Sequence, residues 1–231
     1  MMMLGYALEW SCEGGERAVI VIPPSGRKAV FIGDLVDRGP NSPDALRIAM
    51  SVVANGAGYC IEGNHERKFR RWLEGRNVSI GHGLRETIDQ VDREEDPGFR
   101  AALAAFLGRL DSYLWLDDGR LVVAHAGLKA EMIGQTSRSV QRFALYGDTT
   151  GEIDEFGLPV RADWAAQYVG SAAVVYGHTA VSEATWINNT ICIDTGCVFG
   201  GKLTALRWPE KTLVQVPAQR IWFEPLRPLT S

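Results

Sequence analysis

The sequence is poor in histidine, thin in cysteine and without a long apolar run, and each shortage narrows what the chain can be. The four cysteines, Cys12, Cys60, Cys192 and Cys197, form no C-x-x-C pair. That argues against a zinc ribbon or a disulfide framework, and two of them stand in apolar strand-like runs, as buried thiols do in a reducing compartment. No apolar stretch approaches membrane-spanning length, and the start, Met1-Met2-Met3-Leu4-Gly5-Tyr6, lacks the basic residues and apolar core of a signal peptide. The expectation is a soluble, cytoplasmic protein with no membrane partner. Positive charge is also short: 24 Lys and Arg against 28 Asp and Glu give a formal charge of −4. No global field recruits nucleic acid, so any contact with a polyanion must be local. Repeats, low-complexity tracts and an interdomain linker are absent as well. What is abundant is apolar residue, 46% of 231 positions, enough for a sizeable core in one large domain or two small ones.

The chain is organised around Phe31-Ile32-Gly33-Asp34-Leu35-Val36-Asp37-Arg38-Gly39-Pro40. The apolar run from Ala29 to Ile32 reads as a buried strand that empties into a turn with two carboxylates and an arginine. Open α/β sheets place ligands at the carboxyl ends of their strands. A turn that only caps the next helix needs neither Arg38 nor a second aspartate. Upstream, Ala18 to Ile22 reads as a strand, and Pro23-Pro24-Ser25-Gly26 suits a hairpin to the strand at Ala29. Downstream, Ser42 as N-cap and Pro43 open a helix that Asn55-Gly56 ends. Tyr59-Cys60-Ile61 is a second strand, running into Gly63-Asn64-His65-Glu66. The basic run from Arg67 to Arg85 is explained by a solvated helical face, or by contact with a polyanionic substrate. Helices are expected over Leu84 to Arg93 and Phe99 to Leu110. Strands at Leu121 to Ala124 and Ala172 to Tyr176 end in His125-Ala126-Gly127 and Gly177-His178-Thr179. Phe143 to Glu152 reads as an irregular insertion. Ile191 to Ile193, Leu203 to Arg207, Leu213 to Val216 and Ile221 to Phe223 read as an antiparallel finish.

Of the four histidines, His65, His82, His125 and His178, three stand at predicted strand ends, next to glycine or within two residues of it. Each alone is more often a structural histidine. Together with Asp34 and Asn64 they form a mixed oxygen and nitrogen set suited to Mn²⁺, Fe²⁺ or Zn²⁺, whereas Mg²⁺ or Ca²⁺ prefers oxygen alone.

Gly33-Asp34-Leu35-Val36-Asp37-Arg38-Gly39, Gly63-Asn64-His65-Glu66, His125-Ala126-Gly127 and Gly177-His178 resemble, in order, the motifs of the calcineurin-like metallophosphoesterases of the phosphoprotein phosphatase branch. A finer similarity, carried by Gly26 to Phe31, Phe143 to Arg161 and Asn188 to Gly201, is to the phosphatase module of bacterial polynucleotide kinase-phosphatase. The resemblance implies an α/β fold, a two-sheet sandwich flanked by helices. It implies two divalent ions, manganese first, with iron, zinc or nickel as the other choices. Asp34 would bridge them, and Asn64, His125 and His178 would complete one site. Arg38, with Asn64, would bind the substrate phosphate, the guanidinium forking two oxygens. His65, oriented by Asp37, would protonate the leaving oxygen, so His65, Asp37 and Arg38 are the expected catalytic residues. His82 matches no metal motif and is left to a loop or substrate contact. Arg142 and Arg161 are surface residues or further phosphate contacts.

The sequence departs from the family in lacking any Asp-x-His, the motif that holds the first ion, and Ala180 stands where other members have a second histidine. Residues 1–231 are therefore expected to be a single domain, truncated at its N-terminus and lacking its first strand, with a full ligand set for only one ion. The expected function is metal-dependent hydrolysis of phosphate esters, with RNA 2′,3′-cyclic, 2′- or 3′-phosphate ends as substrate. A phosphoprotein Ser/Thr phosphatase and a dinucleoside tetraphosphatase are the alternatives among enzymes, and an inactive metal- and phosphate-binding fragment is the alternative outside them. Partners by this reading are phosphorylated substrates such as RNA ends, with kinase and ligase modules or an upstream segment.

Overall fold

In the computed structural model, which describes residues 1–229, the chain forms two units, Met1–Asp111 and Ser112–Ser231. In the first, β1 (Ala7–Glu13) and β2 (Glu16–Ile22) make an antiparallel hairpin in register from Ala7↔Ile22 to Glu13↔Glu16. Its two-residue turn is Gly14-Gly15, with φ of 59° and 87°, the left-handed pair that such a turn demands. The hairpin expected between residue 22 and Ala29 is therefore not formed. Pro23 and Pro24 have no N–H for a ladder, and β3 (Ala29–Phe31) instead pairs in parallel with β4 (Gly58–Cys60).

The crossover between β3 and β4 is α1 (Ser42–Ala54), capped by Asn41, whose side chain accepts from Asp44 N at 3.1 Å. The expected cap was Ser42, one residue later. Val19 and Val21 of β2 are buried, and Val21 N donates to Ser51 Oγ of α1 at 3.1 Å. Three more helices follow, α2 (Asn64–Leu73), α3 (Leu84–Asp92) and α4 (Phe99–Leu107). Leu46, Phe69, Leu84, Leu103 and Leu107 are almost fully buried and form one core cluster. Arg47 lies within that layer, its guanidinium over the Phe99 ring and paired with Asp44 and Glu94.

The second unit contains β5 (Tyr113–Leu116), β6 (Leu121–Ala124), α5 (Arg138–Tyr146), β7 (Thr149–Ile153), β8 (Pro159–Arg161), β9 (Ala173–Tyr176), β10 (Trp186–Ile187), β11 (Thr190–Cys192), β12 (Asp194–Thr195), β13 (Lys202–Arg207) and β14 (Thr212–Pro217). Its main sheet has the order β10-β11-β9-β6-β5, with β6, β9 and β11 parallel and both edge strands antiparallel. Central parallel strands are covered on both faces, and every residue of β6 is buried. The parallel pairing of β6 with β9 brings their carboxyl ends, and the residues that follow them, to the same edge of the sheet.

Three expectations fail in this unit. Phe143 to Glu152 is not irregular: it is the last turns of α5, with Val140, Phe143 and Ala144 buried, followed by β7 paired with β8. The antiparallel finish holds for β12-β13-β14, but β11 joins β9 in parallel. Ile221 to Phe223 forms no strand, because Trp222 N and Phe223 N both donate to a single carbonyl, Val198 O. The α/β class stands, with five α-helices and fourteen strands among the described residues. No helix among them is long and apolar enough to cross a membrane.

Candidate active site

In the first unit the tip of β3 is held in an unusual backbone. Asp34, Asp37 and Arg38 have φ of 55°, 73° and 61°, left-handed values that cost of order 1–3 kcal/mol each for such residues and persist only where surrounding contacts enforce them. The main contact is Glu66, which is fully buried. Its carboxylate accepts from Asp34 N at 2.9 Å, Leu35 N at 2.7 Å and Gly63 N at 3.0 Å. One side chain thus ties the loop after β3 to the start of α2, where Gly63 and Glu66 also form the helix cap. Asn64 is the first residue of that helix, so the expected ligand sits at its N-terminus.

Asp37 is buried and fully engaged. Thr87 Oγ1 donates to Asp37 Oδ1 at 2.7 Å and accepts from Asp37 N at 2.8 Å, while Asp37 Oδ2 faces His65 Nδ1 at 2.5 Å. His65 is 8% exposed. Burial works against its charged form, but the Asp37 hydrogen bond and the charges of Asp34 and Asp37 outweigh this and raise its pKa above the ordinary histidine value. The expected pairing of His65 with Asp37 is therefore formed. Gln90 braces the far side of the loop, donating to Gly39 O at 3.0 Å and accepting from Ser42 N at 2.7 Å. Gly83 packs so closely that a Cβ there would lie 2.4 Å from Arg38 N. His82 is exposed, and burial together with Lys68 and Arg38 lowers its pKa. Lys68 donates to Gly81 O at 3.0 Å, tying the His82 loop to α2.

In the second unit His125 follows β6 and His178 follows β9. His125 is 1% exposed, and His178 has a φ of 71°. Their rings meet edge-on, His125 Nε2 to His178 Nδ1 at 3.1 Å. Arg161, from β8, donates from Nη2 to His178 Nε2 at 2.8 Å and from Nη1 to Tyr146 O. Two ring nitrogens aimed at each other, one from each strand tip, are the donor chemistry that a divalent ion takes up in place of a shared proton. Within the second unit the two imidazole nitrogens suit a borderline metal better than a hard one.

Sequence reasoning reached Asp34, Asp37, Arg38, Asn64, His65, His125 and His178. It gave no role to Glu66, Thr87 or Gln90, and it left Arg161 between surface and phosphate; the structure puts that side chain against His178. Thr87 and Gln90 had a readable signal. They are polar residues three apart on the helix that buries Leu84, Ile88 and Val91, and a polar group on that face needs a partner.

An α/β fold whose strand tips carry carboxylates, an amide, an arginine and histidines is that of a phosphoric ester hydrolase. The calcineurin-like phosphoesterase family model matches residues 16–182, and the chain belongs to that family. Among curated relatives, a bis(5′-nucleosyl)-tetraphosphatase PrpE (asymmetrical) of Anoxybacillus flavithermus is 46% identical over 202 residues, 86% of this chain and 82% of the relative. The protein of that name from a Geobacillus species is 47% identical over 219 residues, 93% of this chain and 86% of its own. That of Bacillus subtilis is 44% identical over 202 residues, 86% and 83% of the two chains. A crystal structure assigned to a diadenosine tetraphosphatase superposes with a TM-score of 0.58 at 22% identity, over 83% of this chain and 80% of that one, which establishes the shared fold. These relatives carry the name of the dinucleoside tetraphosphatase alternative and not that of an RNA end-repair phosphatase.

Proposed function

We propose that the chain hydrolyses bis(5′-nucleosyl) tetraphosphates asymmetrically, giving one nucleoside triphosphate and one monophosphate. The observation that carries this reading is the set of relatives, 44–47% identical over 86–93% of the chain, that bear this activity in their names.

In this reading Asp34, Asn64, His125 and His178 would hold a divalent ion, manganese by preference. The ion supplies Lewis acidity and a more acidic water at the scissile phosphorus. The chain's own residues do the rest. Arg38 forks two phosphate oxygens and neutralises charge as it develops. Asp37, locked by Thr87, fixes His65 with Nδ1 turned inward, which leaves Nε2 to give a proton to the departing oxygen. Glu66 keeps the Asp34 carboxylate at one position by fixing the two amides of its loop.

The test is turnover with Mn²⁺ on diadenosine tetraphosphate, a 2′,3′-cyclic nucleotide and a phosphopeptide, with products separated by chromatography. Diadenosine tetraphosphate should be preferred and should yield ATP and AMP. Formation of ADP alone, or a preference for the cyclic nucleotide, overturns the reading. Arg38→Ala should lower kcat/KM by roughly 100-fold while metal content, measured by atomic emission, stays that of wild type; parallel loss of metal would move Arg38 out of the phosphate role.

A further inference from the structure

In the first unit the basic run that follows Asn64 separates into two kinds of residue. Arg67 and Arg70 are paired with Glu62, and Arg70 and Arg76 with Glu74, so their charge is met within the chain. Lys68 is different. Its ammonium donates to Gly81 O at 3.0 Å, and among the described residues it has no carboxylate partner. It is half-buried and stands three residues after His65 on α2, so the two side chains share a face of that helix. An ammonium carries three donors, and the carbonyl takes up one.

The carbonyl that Lys68 holds belongs to Gly81-His82-Gly83, and this loop runs directly to Arg38. A Cβ at Gly83 would lie 2.4 Å from Arg38 N and 2.7 Å from Arg38 Cγ, an approach that glycine alone permits. Gly81 and Gly83 are two residues apart, at most about 7 Å, so Lys68 and Arg38 flank one short loop. Between them His82 has a φ of 59°, left-handed backbone that persists where contacts enforce it. The Lys68 bond on one side and the Gly83 contact on the other supply them. The His82 ring is exposed, and among the described residues it has no hydrogen-bond partner. Burial lowers its pKa, and so do Lys68, Arg38 and His65, which puts all three within electrostatic reach of the ring. A neutral imidazole still offers one N–H to an anion. Asp37, which pulls the other way, is already engaged by Thr87 and His65. The loop therefore presents donors and positive charge that the protein leaves uncompensated, beside the arginine that takes the scissile phosphate. A chain of further phosphates supplies the opposite charge.

We infer that Lys68 and His82 form a subsite for the phosphates beyond the scissile one and set a preference for polyphosphate chains over single phosphate esters. The inference rests on the tetraphosphatase reading and adds to it the residues that recognise the length of the phosphate chain. It is tested by calorimetric titration of inorganic tripolyphosphate and of orthophosphate into the full chain and into Lys68→Gln and His82→Gly. Glutamine keeps a donor for Gly81 O without the charge, and glycine adopts the left-handed backbone freely; melting temperatures establish that both variants are folded. Wild type should bind tripolyphosphate more tightly than orthophosphate, and each variant should weaken tripolyphosphate by about tenfold, the worth of one hydrogen bond to a charged group, with a smaller effect on orthophosphate. In kinetics the ratio of kcat/KM for diadenosine tetraphosphate to that for p-nitrophenyl phosphate should fall by a similar factor. No preference in wild type, or equal weakening of both anions, overturns the subsite. If diadenosine tetraphosphate is turned over but the variants keep the anion preference and substrate ratio of wild type, the subsite falls and the tetraphosphatase reading stands. If the variants lose the preference for tripolyphosphate but diadenosine tetraphosphate is not turned over, the subsite stands and that reading falls.

Discussion

A carboxylate taken out of water is costly unless donors surround it, and Glu66 shows the arrangement that makes it stable. Three backbone amides from two segments converge on its two oxygens. Replacing it with glutamine puts an NH₂ group against a backbone N–H. We expect Glu66→Gln to lose about 1–3 kcal/mol of stability, the cost of an unsatisfied buried donor, measured as a lower urea midpoint, together with a fall in kcat. Unchanged stability would mean that the loop at Asp34 is held by something else. Arg38 and Glu66 make a useful contrast at this scale. The first was legible because no turn needs an arginine; the second was not, because a glutamate three residues after glycine reads equally well as an ordinary helix cap.

At the scale of elements, β3 and β4 are three residues each, and their pairing depends on a close approach. A Cβ at Gly58 would lie 2.0 Å from Ala29 O, so Gly58→Ala must push the strands apart. Overpacking of this kind costs about 1–3 kcal/mol, which a shift of the urea midpoint would register; a midpoint equal to that of wild type would show that the strands separate freely. The hairpin is clipped to α1 by Arg17, which donates from Nε and Nη2 to the two oxygens of Asp44, each at 2.9 Å. Burial works against the Asp44 carboxylate, but the Arg17 hydrogen bond and charge, with Asn41 and Arg47, outweigh it and hold its pKa below the usual 3.8. A carboxylate whose folded pKa is depressed adds stability that is full above its unfolded value and disappears as pH falls through its folded value. The stability difference between wild type and Asp44→Asn should therefore be present at pH 7 and begin to shrink as pH falls below about 4; a difference that shows no decline as pH is lowered through the acid range would assign the effect to packing.

Across the whole molecule the cysteines report on burial. The Cys60 thiol is pushed up strongly by its surroundings, and burial raises Cys192 to about 12, whereas Cys12 is exposed. A thiolate is the reactive form. Native protein treated with a disulfide reagent at pH 8 should show a fast phase that Cys12→Ser removes, and Cys60 and Cys192 should react only after unfolding in guanidinium. Rapid reaction at either would mean that its unit opens readily. The same contrast in burial explains which parts of the fold the sequence disclosed. β6 and β9 are continuous apolar runs, and the residues after them stood out. β1 has seven residues and none buried, so its alternation was faint, and only the Gly14-Gly15 turn marked it. The segment around α5 and β7 was hidden by polar residues, since in α5 only Val140, Phe143, Ala144 and Leu145 are buried and in β7 none is. The cap of α1 slipped by one because Asn41 and Ser42 are both good caps.

The amides that Glu66 engages bear on how an anion is met at this site. In a phosphate-binding loop the backbone N–H groups turn outward and form a cradle for the ligand. Here the N–H groups of Asp34, Leu35 and Gly63 all turn inward onto a carboxylate of the chain itself. The main chain at this tip has already spent those donors, so recognition of a phosphate falls to side chains and to whatever cation they gather. Affinity here can be rewritten by single substitutions, as it cannot in a fold that grips phosphate with its peptide groups.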